Sequence, residues 1–178
     1  MAQLSTLLRF RIDLSDVDRG VYEALDFRVA QHPSENAAYL LTRVIAYALN
    51  IEPGLQFNPG GLSDTDEPCL RKDGVNGPEV WIEIGNPAAR KVHRASKASR
   101  KVMIYTYKDP EALLRELRSA DVHKAETIEI FSLDSSLLKA LEGTLEKDNR
   151  WSLLRNEGSL HFTMGARTCE GELHRHTI

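Results

Sequence analysis

Between Ser63 and Lys101 the charged residues fall in an order suited to phosphate chemistry. Asp64, Asp66 and Glu67 form an acidic knot, and Glu83 stands in the middle of the strand-like run Val80-Trp81-Ile82-Glu83-Ile84. After Glu83 no acid occurs until Asp109, while Arg90, Lys91, Arg94, Lys97, Arg100 and Lys101 accumulate. Carboxylates on two neighbouring strands supply the oxygen ligands of a hard cation, and a basic helix directly after them can take a phosphate beside it. Glu83 is the most informative residue, because an ionised carboxylate between two isoleucines and beside a tryptophan risks desolvation. Plainer readings stand beside these. The acidic knot is also what a solvated turn looks like, and the basic run 90–101 also fits an ordinary solvated face. Glu35 also suits the first turn of a helix, where the dipole favours a negative charge. Ser34 and Cys69 lack a His–acid partner in sequence, and only His174-x-His176 shows any ligand-like spacing, so nucleophilic and histidine-metal chemistry have little support.

The elements that must position these residues follow from hydrophobic period. Leu8, Phe10, Ile12 and Leu14 alternate with Arg9, Arg11 and Asp13, and Leu25, Phe27 and Val29 alternate with Asp26 and Arg28. With the turn Ser15 to Gly20 between them, the first 30 residues predict a hairpin. Ala37, Leu40, Leu41, Val44, Ile45, Ala48 and Leu49 predict a helix over 35–49, with Pro33 suited to its first position. Residues 51–62, with Glu-Pro-Gly and Asn-Pro-Gly-Gly, predict a loop. A strand, the turn Gly74 to Pro78, the Glu83 strand and a helix over 88–99 come next. On that helix Arg90, Arg94 and Lys97 share one side, opposite Val92, Ala95 and Ser99. Strand 101–107, a helix opened by Asp109-Pro110, strand 127–133, a helix from Asp134 or Ser135, and a hairpin of 151–154 with 160–164 complete the chain. The polar tail after Gly165 is expected to be loosely held. The order β-β-α-β-β-α-β-α-β-α-β-β predicts an α/β protein with a mixed sheet.

Composition bounds the rest. A chain of 178 residues with 42% hydrophobic content is expected to fold as one domain with its own core. Cys69 and Cys169 lie far apart with no CxxC or CxxH spacing, which argues against structural zinc. No apolar run reaches a membrane span and the first residues lack a signal-peptide layout, so a cytosolic monomer without membrane contact is expected. A net charge of −3 excludes a protein that coats nucleic acid indiscriminately, although a local basic patch can still meet a phosphate backbone.

The run helix 35–49, strand, strand with Glu83, helix 88–99, strand 101–107 resembles the αβββαβ core of the PD-(D/E)XK nucleases. One strand of that core, before the acidic pair, is not evident, and the N-terminal hairpin is a candidate to supply it. More specifically, the whole chain resembles the bacterial YaeQ family, through HPSE at 32–35, LQF at 55–57, DEP at 66–68, WIEIG at 81–85, Arg90, and TY at 106–107. The resemblance implies a single domain over 1–178, its mixed β-sheet flanked by helices. That fold would be a variant of the restriction-endonuclease-like core with a β-hairpin at each end. It further implies that Glu83 matches the Glu of the E-x-K pair and Asp66 or Glu67 the first acid, with Glu35 a further carboxylate, together holding Mg2+ or Mn2+. Two features depart from the pattern: Gly85 stands where the lysine belongs, and Pro68 follows the acids instead of preceding them. Arg90 or Lys97 is then expected to supply the cation, Lys97 being the better choice for a base because arginine does not give up its proton. The implied function is a Mg-dependent nuclease or phosphodiesterase meeting nucleic acid through helix 88–101. The alternative is an inactive nuclease-fold module that binds nucleic acid or a protein partner.

Overall fold

The structure, a computed structural model, describes residues 4–59 and 67–178. Strands β1 (Thr6–Asp16) and β2 (Val21–Gln31) form the expected hairpin, paired from Thr6↔Gln31 to Asp16↔Val21. Leu8, Phe10, Ile12 and Leu14 all turn inward and are buried, as their alternation requires. Helix α1 (Ala37–Leu49) follows, then β3 (Leu55–Phe57), β4 (Leu70–Gly74), β5 (Gly77–Ile84), helix α2 (Ala89–Ala98) and β6 (Lys101–Thr106). Helix α3 (Pro110–Ser119), β7 (Glu129–Leu133), helix α4 (Ser135–Glu142), β8 (Asp148–Asn156), β9 (Ser159–Met164) and β10 (Arg167–His176) complete the order.

Among the described residues ten strands join in one order, β2-β1-β8-β9-β10-β7-β6-β5-β4-β3. The pairs β1–β8, β5–β6 and β6–β7 are parallel and the others antiparallel, so the sheet is mixed. Its two ends approach each other, because Phe27 of β2 packs on Phe57 of β3 with ring centroids 5.7 Å apart. The sheet is therefore nearly closed, and α1 lies within its curve: Leu40, Leu41, Val44, Ile45, Ala48 and Leu49 have no exposed surface. Thr42 and Arg43, on what period alone makes the polar side, are also buried, because the curved sheet leaves this helix little solvent-facing side. Helices α2 and α3 pack instead on the outside of β5, β6 and β7, where Val92, Ala95, Leu113, Leu114 and Leu117 cover Trp81, Ile104 and Ile130.

Four expectations change. Helix α1 starts at Ala37, not at residue 35, because Asn36 caps it by accepting the Tyr39 N–H at 2.7 Å. Pro33 and Glu35 thus lie in the preceding turn, closed by the Glu35 N–H on the His32 carbonyl at 2.9 Å. The 51–62 segment contains β3, paired with β4, and the N-terminal hairpin sits at the other end of the sheet order. The tail after Gly165 is β10, which pairs with β9 over residues 167–172 and with β7 over 173–176, joining the two halves of the sheet. Gly171 permits that crossing: a β-carbon there would fall 2.8 Å from Cβ of Leu137 on α4. The tail is further tied by His174 to Asp134 at 2.8 Å and by His176 to Ser132 at 2.7 Å.

Candidate functional site

Period 2 along β5 puts Trp81, Glu83 and Gly85 on the face that α2 covers. Glu83 is 1% exposed. The Trp81 indole N–H donates to its Oε1 at 2.7 Å, and Nζ of Lys91 donates to Oε2 at 3.0 Å. Sγ of Cys69 lies 3.9 Å from the same oxygen and 2.9 Å from the Tyr39 hydroxyl. The buried carboxylate thus meets a mostly buried ammonium and an indole donor, which offset the cost of its desolvation.

The chain leaves β5 through Gly85, whose φ of +87° is a conformation that favours glycine. Asn86, Pro87 and Ala88 then lead into α2, and a cavity of about 330 Å3 opens between this turn and α1. Tyr39, Glu83, Lys91, Tyr107 and Lys108 line it. Tyr39 and Tyr107 meet edge to face at 6.3 Å, and the Lys108 ammonium lies 5.7 Å from the centre of the Tyr107 ring. The pocket therefore offers one acid, two cations and two aromatic walls, a set suited to an anionic, partly planar ligand. Wider hollows of about 590 and 620 Å3 lie over β1 and β8, where Arg11 is ion-paired to Asp148. Neither includes a carboxylate–ammonium pair as deeply buried as Glu83 and Lys91.

Of the described residues expected from sequence, Glu83 occupies the site, and Glu35, Glu67, Arg90 and Lys97 do not gather around it. Glu35 is buried, but the Arg43 guanidinium donates to both its oxygens at 2.9 and 3.1 Å and the His32 N–H to one at 3.1 Å. It is the acid of an internal ion pair, and burial pushes its pKa up while Arg43 and the His32 N–H work against that. Glu67 is exposed and stands 3.9 Å from Arg71. Asp66 and Asp64 lie outside the described residues. Arg90 and Lys97 are both exposed on the far side of α2, so the cation beside Glu83 is neither of them but Lys91. The signal for Lys91 was available: it precedes Ala95 by four positions, and Ala95 faces the sheet. Gly85 is also more than a missing lysine, since its positive φ turns the chain toward α2, where any other side chain is strained. Among the described residues, no three His, Cys, Asp or Glu side chains come together in a way that could hold a metal ion.

Comparison with known proteins agrees with this architecture. A family model described as YaeQ protein matches residues 1–173. The uncharacterized protein YaeQ of Escherichia coli K12 is 32% identical over 109 residues, and so is its Shigella flexneri counterpart. Each match covers 60% of this chain and 59% of the relative, less than two thirds of the relatives' length. The crystal structure of the YaeQ protein from Xanthomonas axonopodis pv. citri superposes with a TM-score of 0.89 at 27% identity, covering 97% of this chain and 98% of that one. The Pseudomonas syringae YaeQ structure gives 0.88 at 28% identity, over 98% and 97%.

Proposed function

We propose, for a chain that belongs to the YaeQ family, that the Glu83–Lys91 pocket is the centre of a nuclease-type phosphodiesterase. One observation carries the reading: Nζ of Lys91 stands 3.0 Å from the Glu83 carboxylate, at the wall of an open cavity. The E-x-K pair of the PD-(D/E)XK nucleases needs an acid and an ammonium side by side. Here the acid comes from β5 and the ammonium from α2. The element run α1-β3-β4-β5-α2-β6 has the same sequence of helices and strands as that core and supports the reading.

Each residue has a role in this chemistry. Lys91 donates to a non-bridging phosphate oxygen and offsets the charge that grows on phosphorus during attack. Glu83, released in part from Lys91 by that phosphate, offers an oxygen to the attacking water or to a cation. Tyr39 and Tyr107 flank the substrate. Arg90, Arg94 and Lys97 on the outer part of α2 face the rest of a polyanion. A Mg2+ or Mn2+ ion would need Glu83 together with Asp66 and Glu67. The described residues alone do not complete that set, and no step is assigned to the ion. This chemistry belongs to a cytoplasmic protein acting on nucleic acid.

If the acids do hold a cation, millimolar Mg2+ or Mn2+ raises the melting temperature of the parent protein by linkage. In Glu83→Gln the rise is lost. A parent whose melting temperature is indifferent to both ions contradicts the metal-assisted form. A second reading, a nuclease-fold module that binds without cutting, is favoured by one observation: both Glu83 oxygens already hold donors. It predicts nucleic-acid binding with no cleavage.

A further inference from the structure

A second cavity, also of about 330 Å3, lies at the other end of α1. Asn50, the C-cap of α1, lines it, whereas Tyr39 near the helix start lines the Glu83 pocket. We propose that this second cavity binds a small molecule carrying a phosphate group.

Its wall carries Arg19, Lys101, Arg155 and Arg175. The acids near them are largely committed. Arg155 lies 3.1 Å from Asp18 and 3.5 Å from the fully buried Asp16, and Lys101 lies 3.2 Å from Glu129. Asp18 also accepts the Glu157 and Gly158 N–H groups at 2.7 and 3.0 Å, so its oxygens are occupied by donors and its charge is offset by Arg155. Arg19 spends its hydrogen bonds on the Leu49 and Ile51 carbonyls at 2.7 and 3.2 Å, and the nearest carboxylate oxygen in its ion pair is 4.0 Å away. Arg175 makes no ion pair among the described residues. Positive charge is therefore in excess at the cavity.

Its floor adds a buried donor. The Tyr105 hydroxyl, on a side chain that is 1% exposed, accepts from the Asn50 amide at 2.8 Å. Its own hydrogen has no acceptor among the described residues, and a buried O–H without one is costly. Burial pushes its pKa up to about 12, so it remains a donor at any physiological pH. An oxyanion in the cavity would supply the missing acceptor and meet the excess charge together. Phe131, stacked on Tyr105 with centroids 4.9 Å apart, and Leu173 give an apolar flank. The cavity thus has room for an organic group beside the anion, which fits a phosphate monoester better than free phosphate.

The test is calorimetric titration of the full chain with inorganic phosphate and with phenyl phosphate at constant ionic strength. Saturable binding is expected, tighter for phenyl phosphate. Arg175→Ala and Tyr105→Phe should each weaken it about tenfold, as loss of one charge-assisted or buried donor implies. Arg175 is exposed and leaves the fold intact, and melting of Tyr105→Phe checks the buried variant separately. The assignment is overturned if the parent gives no saturable heat, or if both variants bind as the parent does. It is equally overturned if binding survives both variants but disappears in Lys91→Ala, which would put the anion in the Glu83 pocket.

Discussion

Lys91→Ala is expected to lower phosphodiester hydrolysis by on the order of 100-fold while changing substrate affinity far less. That is the usual cost of removing one donor aimed at charge that develops in the transition state. Arg90→Ala and Lys97→Ala, on the exposed side of α2, should leave turnover close to that of the parent and act only on affinity and its salt dependence. Initial rates on linear DNA and RNA in Mn2+, at saturating and limiting substrate, separate the two effects. Because Lys91→Ala strands a carboxylate that is 1% exposed, its melting temperature must be followed with its rate. The double variant Lys91→Met with Glu83→Gln removes both charges and should refold well but remain inactive. Equal loss of rate in Lys97→Ala and Lys91→Ala would move the cation back to the outer face of the helix.

The largest effect on stability is expected at the other buried pair. Arg43 is 1% exposed, and besides Glu35 it donates to the Ala30 carbonyl at 2.9 Å and lies 5.7 Å from the Phe57 ring centre. Glu35→Ala leaves this guanidinium buried without its anion and should cost about 3–5 kcal/mol in chemical denaturation. Arg43→Met placed on that background should recover part of the loss. Burial raises the Glu35 pKa, so the folded chain holds this proton more tightly than the unfolded chain. That contribution favours folding below the unfolded carboxylate value and is lost as pH rises through the folded one. Denaturation midpoints should therefore show no loss of stability from Glu35 as pH falls from neutral into moderate acid. A Glu35→Ala protein as stable as the parent would show that Glu35 is not a structural ion pair.

Strands and helices with a clean period were legible before the structure. The β1–β2 hairpin, α3 with its Asp109 cap and the β8–β9 hairpin all fall where alternation and caps place them. Elements whose burial is decided by distant partners were not. Strand β10 buries only Leu173, so RTCEGELHRH carries no alternation, and its place is set by pairing with β9 and β7. Strand β3 is three residues long and sits between two Pro-Gly signals. Glu35 shows the same limit at the level of one residue. Its position suggested a helix dipole or a ligand, and only Arg43, eight residues on and turned inward by the closing sheet, decides its partner. At the site, the carboxylate stood out in the sequence, whereas the cation carried only the weaker signal of its spacing from Ala95. Three arginines and lysines on one side of α2 drew attention from Lys91, which lies beside the apolar stripe and reaches Glu83 beneath the helix.

The central claim is that the Glu83–Lys91 pocket cleaves a phosphodiester. The most direct measurement is the release of product from end-labelled single-stranded and duplex DNA and RNA by the parent protein in Mg2+ and in Mn2+. Cleavage is expected on at least one of these substrates, and it should disappear in Glu83→Gln while the variant still binds. If the parent binds nucleic acid yet cuts none of them with either ion, the pocket is a binding site and the phosphodiesterase reading is wrong.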